Sequence, residues 1–245
     1  MKALTPSELL EVWEYGLSAP LLEWALRVIC AFHPGTSPQT HASMSIGQRD
    51  ACLLRLREQT FGPWLRGLCD CPGCGEGMEM ALDVADLLVD APPEMEASRW
   101  MKFDAFDVRF RLPNSLDLSA VAGSCGDNLE ESRLLLRQCL MEARCQDKRV
   151  GFDALPAIVL DAVAVKIAQA DAQADIRLEL TCPACSHHWQ TAFDIAAFFR
   201  QELNGWAKRL LHDVHTLAAA YGWSEGAILS FSPARRQAYL EMVNG

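Results

Sequence analysis

Cys71-Pro72-Gly73-Cys74 and Cys182-Pro183-Ala184-Cys185 are two Cys-Pro-x-Cys turns in one chain, and the chemistry they suggest is metal ligation. A tight turn between two cysteines aims both sulfurs at one point. Two such turns supply the four thiolates of a closed tetrahedral site, for which zinc is the expected ion. The match continues past the cysteines, because Ala81-Leu82-Asp83-Val84-Ala85 answers Ala192-Phe193-Asp194-Ile195-Ala196 at the same offset of 111 positions. The turns therefore read as parts of an internal repeat whose copies share one structural ion, held by Cys71, Cys74, Cys182 and Cys185.

Other residues with ligand chemistry fit less well. Cys69 competes with Cys71 in Cys69-Asp70-Cys71 but falls outside the repeat register. His187 and His188 follow the second turn and could replace a thiolate, although histidines so placed are more often surface residues. Cys30, Cys52, Cys125, Cys139 and Cys145 have no paired spacing and read as core or surface thiols. His212 and His215 stand at i, i+3 with no third ligand apparent. A redox dithiol would need its CxxC at a helix start, whereas both turns here lead into strand-like alternation.

Catalytic patterns are missing. The chain has no glycine-rich phosphate loop, no G-x-S-x-G elbow and no H-E-x-x-H helix. None of its six histidines has glutamate two residues on, which excludes the H-x-E pattern of zinc deaminases. A four-thiolate site also leaves no open position for an activated water. A non-enzymatic protein is expected.

These turns must be positioned by the elements around them. Thr5-Pro6-Ser7-Glu8 has the form of a capping box, and Leu9, Leu10, Val12 and Trp13 follow at helical spacing. A break at 16–20 separates this helix from another over 21–32. Residues 33–43 read as a polar loop, and helical period returns from Ser45 to about Phe61. Met78, Met80 and Leu82 alternate with Glu79 and Ala81 as in a half-buried strand, and Asp83 reads as the cap of a helical turn. The clearest strand is Phe106, Val108, Phe110 and Leu112 against Asp107, Arg109 and Arg111, ended by Pro113. Helices are expected at 115–121, 129–144 and 155–170. Ile176, Leu178 and Leu180 run as a strand into the second turn, and Trp189, Thr191 and Phe193 leave it. A long helix over 195–221 stops at Gly222, and Ser224 and Ser232 cap two short ones. The fold class that results is α+β, mostly helical, with a small antiparallel sheet around a two-turn, zinc-ribbon-like site.

The segments fall at 1–62 (helical), 63–112 (first turn and strands), 113–172 (helical insertion) and 173–245 (second turn and C-terminal helices), read together as one unit. The helical C-terminus is expected to pack on the metal-centred strands. Half of the 245 residues are apolar, which is ample material for a core. The formal net charge of -10 repels phosphate backbones and anionic membranes. With neither a signal-peptide pattern nor a run of eighteen apolar residues, a cytoplasmic protein with reduced thiols is expected.

The order of Gly47-Gln48-Arg49-Asp50, Leu54-Arg55-Leu56-Arg57, Phe61-Gly62, the first turn, Phe110-Arg111-Leu112-Pro113, the second turn and Asp213-Val214-His215-Thr216-Leu217-Ala218 resembles one family. It is similar to phage baseplate assembly proteins of the T-even type and their relatives encoded with phage-tail-like contractile injection systems. The resemblance runs from about Gly47 to Val243. Its most specific part is Tyr221-Gly222-Trp223-Ser224-Glu225 followed by Ser232-Pro233-Ala234-Arg235-Arg236-Gln237-Ala238-Tyr239-Leu240.

The resemblance implies an assembly factor or minor component of a baseplate or hub, with other proteins of the tail-like machine as partners. Trp223, Tyr239, Arg235 and Arg236 are of the kind that anchors protein interfaces. Packing of the terminal helices explains the two aromatics equally well. The competing class is a zinc-ribbon accessory protein that binds nucleic acid. Gly75-Glu76-Gly77-Met78-Glu79 and Ser186-His187-His188-Trp189-Gln190, beside the turns, lack the lysine and arginine that phosphate contacts demand.

Overall fold

Hydrogen-bonded caps set several of the helix starts. The Thr5 hydroxyl accepts from the Glu8 N–H while the Glu8 carboxylate accepts from the Thr5 N–H, and Ser45 and Gln48 repeat the arrangement. Each such cap is worth about 1 kcal/mol. The computed structural model describes residues 3–89, 98–122 and 128–244, so Cys125 lies outside the described residues.

The chain opens with α1 (Pro6–Gly16), α2 (Leu21–Phe32), α3 (Pro38–Ala42) and α4 (Ile46–Phe61). The hairpin β1 (Trp64–Asp70) and β2 (Gly77–Asp83) follows, then α5 (Val84–Leu87), β3 (Arg99–Phe103), β4 (Phe106–Phe110), α6 (Ser115–Val121) and α7 (Asn128–Cys139). Next come β5 (Leu140–Cys145), β6 (Lys148–Arg149), α8 (Ala157–Ala170) and the hairpin β7 (Arg177–Thr181) and β8 (His188–Ala192). The chain closes with α9 (Ile195–Tyr221), α10 (Glu225–Leu229) and α11 (Pro233–Asn244). The molecule is thus mostly helical with small antiparallel sheets.

Two compact units emerge, one from Met1–Thr36 with Ile195–Gly245, the other from Ser37–Asp194. They cut across the four sequence segments, since the two ends of the chain join in one unit. The cysteine-bearing hairpins lie in the second unit, and the C-terminal helices α9, α10 and α11 group with α1 and α2 in the first. In this unit Leu10, Ala207, Leu210, Val214, Leu217, Ile228, Leu229 and Leu240 form one buried cluster. Trp24, fully buried, donates its indole N–H to the Val12 carbonyl and meets Phe199 edge-on.

Among the described residues, the unit of residues 37–194 holds three small antiparallel sheets. Strands β3, β4, β5 and β6 make an antiparallel meander. Its inner side chains Met101, Val108, Phe110 and Ala143 pack with Leu155, Val159, Leu160 and Val163 from α8 and the turn before it. Burial on this scale, about 25 cal/mol per Å² of apolar surface, is what holds a short meander together. The other two sheets are the hairpins β1–β2 and β7–β8, which carry the Cys-Pro-x-Cys turns.

The helix expected over 129–144 ends instead at Cys139, and the chain goes on as β5. Arg111 explains the stop: its backbone N–H bonds the Cys139 carbonyl and its guanidinium bonds the Gln138 carbonyl. Carbonyls at a helix end have no partner within the helix, and Arg111 supplies them. Residues 33–43 contain the short helix α3, capped by Ser37, where a loop was expected.

Candidate metal centre

Each Cys-Pro-x-Cys turn folds through the same backbone bonds. The Gly75 N–H bonds the Cys71 carbonyl and the Cys71 N–H bonds the Glu76 carbonyl. In the second copy the Ser186 N–H bonds the Cys182 carbonyl and the Cys182 N–H bonds the His187 carbonyl. The residue after the second cysteine is left-handed in both, with φ of 75° at Gly75 and 58° at Ser186. Strand register repeats as well, since Asp70 opposite Gly77 and Arg66 opposite Ala81 match Thr181 opposite His188 and Arg177 opposite Ala192. The internal repeat is therefore a structural repeat, hydrogen bond for hydrogen bond.

The two turns bring Cys71, Cys74, Cys182 and Cys185 into one group, with sulfurs within 4.8 Å of one another. Cys71 Sγ and Cys185 Sγ are 3.7 Å apart, as are Cys74 Sγ and Cys182 Sγ. Exchanging the two copies turns one of these pairs into the other, so the group has local two-fold symmetry. Burial follows the same symmetry: Cys71 and Cys182 are 2% and 1% exposed, whereas Cys74 and Cys185 lie at the surface. A regular tetrahedron with metal–sulfur bonds of about 2.3 Å has edges of about 3.8 Å. A disulfide needs about 2.05 Å. The sulfurs are thus spaced to hold a metal ion rather than to bond to each other.

Electrostatics point the same way. The Cys185 backbone N–H, donated to the Cys182 sulfur, is the main cause that lowers the Cys182 thiol to about 7. The Glu76 N–H favours the Cys74 thiolate, but the crowding of Cys185, Cys182 and Cys71 outweighs it and raises that thiol to about 12. Cys185 is raised too, against the help of the His187 N–H. Four thiolates in so small a volume cannot all ionise alone, and a divalent cation removes that obstacle.

The remaining candidate ligands stay out of the group. Cys69 sits two residues before Cys71 on β1. His188 Nδ1 lies 2.8 Å from the Thr181 hydroxyl, and the His187 ring stacks on Trp189 with centroids 5.9 Å apart. His212 and His215 are exposed on α9. Sequence reasoning missed the approach of His187 to the first turn: a Cβ at Gly73 would stand 3.1 Å from its ring, so a larger residue there would need the exposed imidazole to shift, where the second turn has Ala184. That unequal pair of residues was the available signal.

Another constraint was hidden in Gly47-Gln48-Arg49-Asp50. The Gly47 N–H, at the start of α4, donates to the Asp171 carboxylate at 3.0 Å. A Cβ at 47 would overlap that carboxylate and lie 3.0 Å from the Ala174 nitrogen. Further along α4, the buried Arg57 bonds the Gly62 and Trp64 carbonyls and so fixes the entry to β1.

The interface candidates sit in the other unit. Trp223 is half-buried, stacked on Tyr221 with centroids 4.5 Å apart and edge-on to Tyr239 at 4.8 Å. Arg235 is exposed and lies over the Phe231 ring at 4.3 Å. Arg236 is buried, with Asp213 at 3.9 Å.

Residues 30–200 match the family model described as T4 bacteriophage base plate protein. The chain belongs to that family. Both Cys-Pro-x-Cys turns fall within the match, while the segments 221–225 and 232–240, on which the resemblance leaned most, fall beyond it. No curated protein and no solved structure matches the chain. No described helix of this base plate family member is long and apolar enough to cross a membrane.

Proposed function

We propose that this base plate family member is a non-enzymatic assembly factor or minor baseplate component of a phage tail or contractile injection system. In this reading Cys71, Cys74, Cys182 and Cys185 hold a structural zinc ion. The observation that carries the reading is the family match over 30–200, which contains the whole four-cysteine group. Four thiolates fill the coordination of a tetrahedral ion, so the centre serves to fasten the two hairpins. Cys74 and Cys182 are 108 positions apart, and by the chain-entropy argument a link closing a loop that long is worth about 4 to 5 kcal/mol. The partners are other baseplate or hub proteins, met in the bacterial cytosol.

A nucleic-acid role draws no support from the hairpins. Asp70, Glu76, Glu79, Asp83 and Glu179 stand there against Arg66 and Arg177, the reverse of a phosphate-binding face.

Tagged protein, recovered from cells making the tail-like particle, should bring down baseplate or hub proteins. Recovery of nucleic acid without them would overturn the reading. Metal analysis should give one zinc per chain, with loss on single serine replacement at each of the four cysteines. Metal-free protein that binds no added zinc would remove the centre from the proposal.

A further inference from the structure

Arg236, on α11, is 7% exposed, and its Nη1 has no hydrogen-bond partner. Its only ion pair among the described residues is a single contact from Nε to Asp213 at 3.9 Å. A guanidinium is always charged and carries five donors in a fixed fork, so a buried one without acceptors is costly. This one lines a cleft of about 510 Å³ whose walls include Trp206, Lys208, Arg209 and His212 from α9. Three permanent cations therefore converge on one cleft in a chain of net charge -10. Asp213 is the one carboxylate among its lining residues, and Gln237, also in the lining, donates to Glu241.

We propose that this cleft docks an acidic segment of a partner protein, one of whose carboxylates pairs with the Arg236 guanidinium. A carboxylate matches the guanidinium in two parallel hydrogen bonds, Lys208 and Arg209 draw it in, and the half-buried Trp206 offers apolar surface to the peptide stem. A nucleic-acid strand would need a continuous basic track for its phosphates, which one cleft with a carboxylate in its wall does not offer. The proposal rests on the reading of the chain as a protein that works through protein contacts, and it names the chemistry of one such contact.

The test is fluorescence anisotropy on the full, metal-loaded chain with three labelled probes: hexaglutamate, hexaglutamine and hexathymidine. Hexaglutamate should bind at least about tenfold tighter than hexaglutamine, as charge-assisted bonds require. Lys208→Gln with Arg209→Gln, both at exposed positions, should weaken it about tenfold at low salt. Asp213→Asn removes the internal competitor and should strengthen binding several-fold in the wild-type background but not beside Arg236→Met, which separates pairing with Arg236 from the loss of a repelling charge. Arg236→Met should abolish the preference, with circular dichroism showing that the chain is folded. Equal binding of hexaglutamate and hexaglutamine, or tighter binding of hexathymidine, overturns the proposal. Either result leaves the recovery of baseplate proteins to be decided separately, so failure here is distinguishable from failure of the assembly reading.

Discussion

Ser186 holds a left-handed backbone that its counterpart in the repeat leaves to glycine, and the two copies differ in strain for that reason. A non-glycine residue there costs roughly 1 to 2 kcal/mol, partly offset by the extra freedom glycine has in the unfolded chain. Ser186→Gly should therefore stabilise the metal-loaded protein by about 0.5 to 1 kcal/mol, and Gly75→Ser should destabilise it by a similar amount. Urea midpoints of the two variants would check this, and equal shifts in one direction would contradict it. Gly47 obeys a different rule, that of space. Its φ is ordinary, but a methyl group would collide with the Asp171 carboxylate that caps α4. Gly47→Ala should cost about 1 to 3 kcal/mol, read from the same denaturation curves. A loss within measurement error would mean that Asp171 moves aside freely. The cysteines were legible because ligand spacing is local. Gly47 was not, because its reason lies 124 positions away.

At the scale of elements, capping residues and strong alternation were legible: Thr5, Asp83 and Ser224 each cap the helix expected of them. Strand β1 was not, and its burial explains why. Leu65, Gly67 and Cys69 face inward while Trp64 and Leu68 are exposed, so apolar and inward positions do not coincide. The end of α7 was hidden for another reason, since Arg111 comes from β4's far end and binds α7's last carbonyls. Arg111 in turn is gripped by Asp117 through two hydrogen bonds of 2.6 and 2.7 Å. Burial alone would push the Asp117 carboxyl up, but the Arg111 guanidinium and the Asn114 N–H outweigh it and hold its pKa below the ordinary value. The sign follows directly: a depressed carboxyl stabilises the fold above its unfolded pKa of about 3.9, and that contribution is lost as pH falls through the folded value. Wild-type protein should lose more stability than Asp117→Asn between about pH 5 and pH 2. Parallel pH profiles of urea stability would contradict this.

Over the whole molecule, the four-cysteine group falls within the unit of residues 37–194, and the two chain ends join in the other, largely helical unit. Neither the sequence repeat nor the segment boundaries disclosed that Met1–Thr36 and Ile195–Gly245 make one unit, because packing between residues so far apart leaves no periodic trace. The helical unit has its own apolar cluster around Leu210, Val214 and Leu217, whereas the paired hairpins are two-stranded and too small to stand alone in water. Their stability must come from the ligand group and from the rest of their own unit. Removal of the metal with a high-affinity chelator at neutral pH should therefore act unevenly. Amide protection should fall in β1, β2, β7 and β8, while the α9 amides from Leu210 to Leu217 keep theirs. Hydrogen exchange followed by mass spectrometry reads both regions in one sample. Equal loss in both would mean that the cysteine centre carries the stability of the entire chain. Protection unchanged in the hairpins would mean that the four sulfurs contribute nothing to their closure.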